Sequence, residues 1–208
     1  AQLHLTQLQG GLVISLPAAV LAFGALFGGW LVDRVGDKRM LLIGSAVLFV
    51  SDLASAVAST IPEFFTARIL SGVGYLFIVV AAITMLPRTT TGKRRISALA
   101  LWSSFVPASF ILPMLVASMV SGSPDWRWAF YLHAICAALL GLAAFMLPAS
   151  ASQAIGNRAN TAGLATVIRT PGVLWLGVAL AAGGFLQTGV ISLLPHMLTE
   201  SYLLSFDR

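Results

Sequence analysis

Six stretches of this sequence are so apolar and so long that they dictate the solvent in which the chain can fold. They cover residues 11–31, 40–58, 64–86, 97–120, 128–147 and 172–197, each between 19 and 26 residues. A helix needs roughly 20 residues to cross a hydrocarbon core about 30 Å thick. No water in that core can satisfy a free peptide group, so segments of this length close their own hydrogen bonds as helices. The expected fold class is an all-α membrane protein with six transmembrane helices. Only 9% of the residues are charged and 58% are hydrophobic, whereas a soluble domain carries about 25% charged residues. This excludes a disordered chain, a disulfide scaffold and a cytosolic enzyme. The one cysteine, Cys136, has no second thiol to bridge to and cannot by itself make a thiolate metal site.

The span ends carry the expected punctuation. Thr60-Ile61-Pro62-Glu63 reads as a capping box with proline early in the helix, and Thr170-Pro171 opens the sixth span with Thr170 as N-cap. Trp30, Trp102 and Trp175 lie near span ends on one side, and Trp126 and Trp128 near span ends on the other, as in an aromatic belt.

Basic residues orient the spans. Arg34, Lys38, Arg39, Arg88, Lys93, Arg94, Arg95, Arg158 and Arg169 lie in one set of connections, and only Arg127 lies in the alternate set. Nine against one makes the first set cytoplasmic. The net charge of +5 is therefore topological, and no nucleic-acid partner is expected. A contact of Lys93-Arg94-Arg95 with lipid headgroups stays open. This orientation puts both ends outside. The opening Ala1-Gln2-Leu3-His4 is neither an initiator Met nor a signal peptide. A preceding helix is expected, and the chain reads as an internal piece of a larger membrane protein.

The most specific stretch is Gly29-Trp30-Leu31-Val32-Asp33-Arg34-Val35-Gly36-Asp37-Lys38-Arg39-Met40-Leu41. Here a tight charged hairpin joins two apolar helices, and Gly36 can take the positive φ of a short turn. Asp33 sits at a helix C-terminus, where a lone carboxylate is unfavourable, so it should have a basic partner. The stretch resembles the signature loop of the major facilitator superfamily, G-x-L-A-D-R-x-G-[RK]-[RK]-x-x-L. Gly29, Leu31, Asp33, Arg34, Gly36, Lys38 and Leu41 match. Val32 replaces alanine and Asp37 replaces a basic residue, which removes one arm of the family's charge network unless Lys38 and Arg39 supply it. Arg68-Ile69-Leu70-Ser71-Gly72-Val73-Gly74 resembles the family's R-x-x-x-G-x-G pattern in the fourth helix. Asp125-Trp126-Arg127-Trp128-Ala129-Phe130 resembles the W-R-W-x-F start of its sixth.

The resemblance implies that the six spans are the second to seventh helices of a twelve-helix fold. Residues 1–148 would be most of the N-terminal six-helix half without its first helix. Residues 149–170 would be the central cytoplasmic loop, and 171–208 would hold the first helix of the second half. It implies a multi-pass protein of the bacterial plasma (inner) membrane that works without a cofactor. That protein would be a secondary transporter moving a small solute by alternating access, with protons as a coupling ion and its site near the midplane. Gly29, Leu31, Asp33, Arg34, Gly36, Lys38 and Arg39 would form its gating motif. The fourth span runs Trp102-Ser103-Ser104-Phe105-Val106-Pro107. It lacks the G-P-x-x-G-G motif of drug antiporters and is closer to the cyanate and nitroimidazole transporter branch.

Ionisable residues inside a span are costly and mark function by default. Asp52 and Arg68 each stand eight residues from the turn near residue 60, at about 12 Å along antiparallel neighbours. Equal depth permits an ion pair. It leaves open whether the pair is structural or whether Arg68 lines the cavity and meets an anionic substrate. Tyr75 follows Arg68 by seven residues on the same helical face, and Gln187 lies among Gly183, Gly184 and Gly189. Both are substrate-cavity candidates. Gly24 and Gly28 form a G-x-x-x-G pair suited to helix packing. His133 reads as a polar residue buried near the outer interface, with His4 and His196 at the outer edge. No two histidines share ligand spacing, so no metal site is expected.

Three other functions compete with secondary transport of a small solute in either direction. A multidrug efflux antiporter would share the fold. A membrane subunit of an ATP-driven importer would need a long coupling loop, and none is present. A membrane-embedded enzyme would need clustered histidines or acids at the interface, and no catalytic residues stand out.

Overall fold

The computed structural model describes residues 6–105, 108, 109, 111, 125–147, 171, 172, 175, 178, 179 and 182. The chain divides into two compact units, Ala1–Ala159 and Asn160–Arg208. The first holds all five described helices: α1 (Gln7–Val35), α2 (Asp37–Val57), α3 (Ile61–Thr89), α4 (Gly92–Ser103) and α5 (Arg127–Met146). In the second unit, residues 171, 172, 175, 178, 179 and 182 are helical.

Four of the helices, α1, α2, α3 and α5, are long and apolar enough to cross a membrane. They match the first, second, third and fifth spans read from the sequence. The helices run past the apolar stretches, because hydropathy marks where hydrocarbon ends and not where a helix stops. At 29 residues, α3 reaches about 43 Å, enough for the core and part of both headgroup layers. α4 begins at Gly92, so Lys93, Arg94 and Arg95 occupy its first turn. The sequence had placed them in a connection over residues 87–96. Residues 112–120 of the fourth span, and the greater part of the sixth, lie outside the described residues.

The N-terminus of α3 is built as its sequence requires. Thr60 Oγ1 accepts from the Glu63 amide at 3.4 Å, and Glu63 Oε2 accepts from the Thr60 and Ser59 amides at 3.1 and 2.9 Å. At its other end Thr90 and Thr91 make the whole connection to α4. Between α1 and α2 the connection is Gly36 alone, at φ 96°, a conformation that costs a residue with a Cβ. Its amide closes α1 on the Val32 carbonyl, and its carbonyl accepts from Met40 in α2.

Spatial order differs from chain order. α3 packs between α1 and α2, and α2 packs between α3 and α5, while α1 and α2 touch little. Small residues set these approaches, as expected where lipid gives helices no hydrophobic reason to associate. A Cβ on Gly74 would lie 2.7 Å from the Leu48 amide nitrogen, and one on Gly72 would lie 2.8 Å from Val20 Cβ. The two glycines of the R-x-x-x-G-x-G pattern thus face opposite neighbours. Gly24 and Gly28 serve the α1–α3 seam, where added Cβ atoms would meet Leu76 at 2.6 and 3.1 Å. Val32, Met40, Leu41, Ala81 and Ala144 form a buried cluster next to the Gly36 turn, with Leu31 packed against it.

Candidate functional site

Charge gathers at two levels of the bundle. The first lies around the Gly36 turn. Asp33 ends α1, Asp37 opens α2, and Arg88, in the last turn of α3, reaches both. Arg88 Nη2 is 2.7 Å from Asp33 Oδ1, and Nη1 is 2.8 Å from Asp37 Oδ1. One planar guanidinium meets the two carboxylates with a separate nitrogen for each, in a rigid fork that the single nitrogen of a lysine does not reproduce. Helix polarity treats the two acids differently. Asp33 faces the negative end of α1 and needs the cation, whereas Asp37 sits at the positive end of α2 and is favoured there. Asp37 is 1% exposed. Thr84 Oγ1 lies 2.9 Å from its Oδ1, while its Oδ2 has no partner among the described residues. Asp37 therefore adds a buried carboxylate to the charge network at a position where the resemblance leads one to expect a basic residue.

The remaining hairpin residues do separate jobs. Lys38 Nζ donates to the carbonyls of Phe145, at 2.9 Å, and Leu147. It thereby satisfies orphan carbonyls at the negative end of α5. The Arg34 guanidinium lies 4.0 Å from the Trp30 ring centroid, one helical turn back. Arg39 is exposed and makes no hydrogen bond or ion pair among the described residues. A Cβ on Gly29 would meet nothing within 4 Å, so no contact described here requires glycine there.

The second level lies toward the opposite end. Asp52 on α2 is 0% exposed and Arg68 on α3 is 11% exposed, and Nη2 of the arginine is 3.0 Å from Asp52 Oδ1. The same nitrogen donates to Ser55 Oγ at 2.7 Å, and Ser55 in turn donates to the Ser51 carbonyl. The Arg68 guanidinium also lies 4.6 Å from the Phe130 ring centroid and 5.8 Å from that of Phe64. Phe64, Trp126 and Phe130 meet edge to face. Arg127 Nη2 reaches the Ala58 carbonyl at 3.4 Å, tying the start of α5 to the α2–α3 turn.

The other Asp52 oxygen, Oδ2, is 2.6 Å from His133 Nδ1 on α5. The sequence reading made His133 a buried polar residue. Its side chain is instead 56% exposed and bonded to the buried acid. Depth counting could have found it, since His133 stands six residues into α5, about 9 Å along its axis. Reflecting Arg88 through the turn near residue 60 likewise lands at the Asp33–Asp37 hairpin. Tyr75 is half-buried, and no hydrogen bond joins it to Arg68 among the described residues. Gln187, with Gly183, Gly184 and Gly189, lies outside them, as do Val106 and Pro107.

The sequence profile of the Major Facilitator Superfamily matches residues 1–206. The chain is 32% identical over 173 residues to the methylenomycin A resistance protein of Streptomyces coelicolor, covering 80% of this chain and 34% of that one. It is 25% identical over 152 residues to the cis,cis-muconate transport protein of Acinetobacter baylyi, covering 73% and 37%. It is 28% identical over 138 residues to the arabinose-proton symporter of Escherichia coli, covering 66% and 29%. The chain thus spans roughly a third of the length of these relatives. With its apolar helices, its hairpin and this match from end to end, the chain is an integral membrane protein that belongs to the Major Facilitator Superfamily.

Proposed function

We propose that this chain is the second to seventh helices of a twelve-helix secondary transporter that moves a small solute by alternating access, driven by the proton gradient. The observation that carries this reading is the buried Asp52–Arg68 pair. A membrane helix bundle does not need a charge pair for packing, and intramembrane ionisable groups accompany substrate and ion pathways. On this reading residues 1–148 belong to the N-terminal half, 149–170 to the central loop, and 171–208 to the start of the second half. The basic end is cytoplasmic. There Arg88 locks both sides of the Gly36 turn, and Lys38 locks the end of α5, so the hairpin moves as a unit and acts as a gate latch.

Arg68 is the contact for an anionic solute, in keeping with the similarity to a cis,cis-muconate transport protein. A second reading, drug efflux, is favoured by the similarity to a resistance protein, although the fourth span lacks G-P-x-x-G-G. The two separate in vesicles containing the full transporter. Uptake of cis,cis-muconate, abolished in Arg68→Gln, supports the first. Extrusion of ethidium with no movement of cis,cis-muconate or arabinose would replace it with the second.

A further inference from the structure

The following inference rests on the transport reading above and names the group that carries its proton. We propose that His133 and Asp52 form a proton-binding site, and that its protonation loosens Arg68 from Asp52 and frees the guanidinium for an anionic solute.

The geometry begins with the tautomer. A neutral His133 that donates from Nδ1 to Asp52 Oδ2, 2.6 Å away, must carry its lone pair on Nε2. With Nδ1 committed to Asp52, Nε2 is the atom that takes up the proton. No other reagent is needed: one N–H bond forms, and the charge of the cluster rises by one. Before protonation the carboxylate of Asp52 balances the guanidinium of Arg68. Afterwards one buried carboxylate serves two cations, and in a low-dielectric setting the surplus positive charge weakens its hold on Arg68. An arriving anion removes the imbalance. Proton and anion then favour each other's binding, and the linkage is reciprocal.

Arg68 is arranged for such an exchange. Among the described residues both of its hydrogen bonds, to Asp52 and to Ser55, leave from Nη2. Its Nε is buried with no partner among the described residues. Part of the planar fork is therefore uncommitted, and a fork of this shape suits a carboxylate. Among the described residues the charged group bonded to His133 is Asp52 from α2, which also holds Arg68 from α3. Glu63, at the start of α3, is engaged with the Ser59 and Thr60 amides, and Arg127 reaches the Ala58 carbonyl.

The test needs no substrate. Nitrogen NMR of the full transporter labelled at His and Arg, in detergent across a pH series and assigned by His133→Gln and Arg68→Gln, can follow His133 and Arg68 together. The expected result is an Nδ1–H tautomer of His133 at alkaline pH, lost in Asp52→Asn. The Arg68 Nε signal should move in step with His133 on acidification and stay still in His133→Gln. An Nε2–H tautomer, or an Arg68 signal indifferent to His133, would overturn the proposal. In vesicles, the response of cis,cis-muconate uptake to an inward proton gradient should be lost in His133→Gln, and a wild-type response in that variant would also overturn it. If the unmodified transporter moves no cis,cis-muconate while the two NMR signals still titrate together, the proton site stands and the reading of Arg68 as the contact for an anionic solute falls.

Discussion

Removing one partner of the Asp52–Arg68 pair should cost far more than removing both. Asp52 is fully buried and uses both oxygens, one for Arg68 and one for His133. Asp52→Asn keeps the shape but leaves a guanidinium 11% exposed without a counter-charge. Breaking a buried pair in this way costs about 3–5 kcal/mol. The low end applies here, because the Phe64 and Phe130 faces and Ser55 still hold the cation. Arg68→Gln leaves the opposite orphan, a carboxylate held only by His133, at a similar cost. Each single change should therefore destabilise by about 3 kcal/mol. The double change leaves a neutral pair and should cost well under either single change, where additivity would give about 6 kcal/mol. Unfolding of the full transporter in mixed micelles, with increasing denaturing detergent and helicity as the readout, measures all four corners of the cycle. If the double mutant falls within about 0.5 kcal/mol of the sum, the two side chains do not interact in the membrane.

The hairpin gives a sharper chemical test. Arg88→Lys should reduce transport, though less than Arg88→Gln, because one ammonium nitrogen on a shorter side chain keeps the charge but does not reproduce a fork that gives Asp33 and Asp37 a nitrogen each; full activity in Arg88→Lys would refute the need for the fork. Asp33→Asn should reduce transport with membrane insertion unchanged, and unaltered vesicle uptake at equal expression would remove the latch role. Gly74→Ala should lower stability by about 2 kcal/mol, because its Cβ would sit 2.7 Å from the Leu48 nitrogen. Gly29→Ala, which meets nothing within 4 Å, should lie within about 0.5 kcal/mol of the parent; thermal unfolding compares the two. On a Cys136→Ser background, an impermeant thiol reagent applied to intact cells should label Ser59→Cys and spare Thr91→Cys. The reverse pattern would invert the assigned orientation.

The helical class, the membrane and the four spans described were legible in the sequence because each rests on a local quantity. Twenty apolar residues cannot stay in water, and their backbone bonds close within the segment. The Thr60–Glu63 cap and the Gly36 turn are local for the same reason. Helix ends were harder to place, since charged residues outside hydrocarbon continue a helix without any change of backbone preference. The pairing of Asp52 with Arg68 was legible only as equal depth along two antiparallel helices. Depth is one coordinate, and rotation about each helix axis is another that periodicity leaves unset. That rotation is decided by tertiary packing, in which Gly44 and Gly74 bring α2 and α3 into close contact. It turns Asp52 toward Arg68 and toward His133, on a helix more than eighty residues away. The same holds at the other end. Arg88 counted in the sequence as one loop charge among nine, and Asp37 as a departure from a pattern. Only the approach of α3 to the turn between α1 and α2 makes them partners, because the attraction between two charges depends on the distance between them in space and not along the chain.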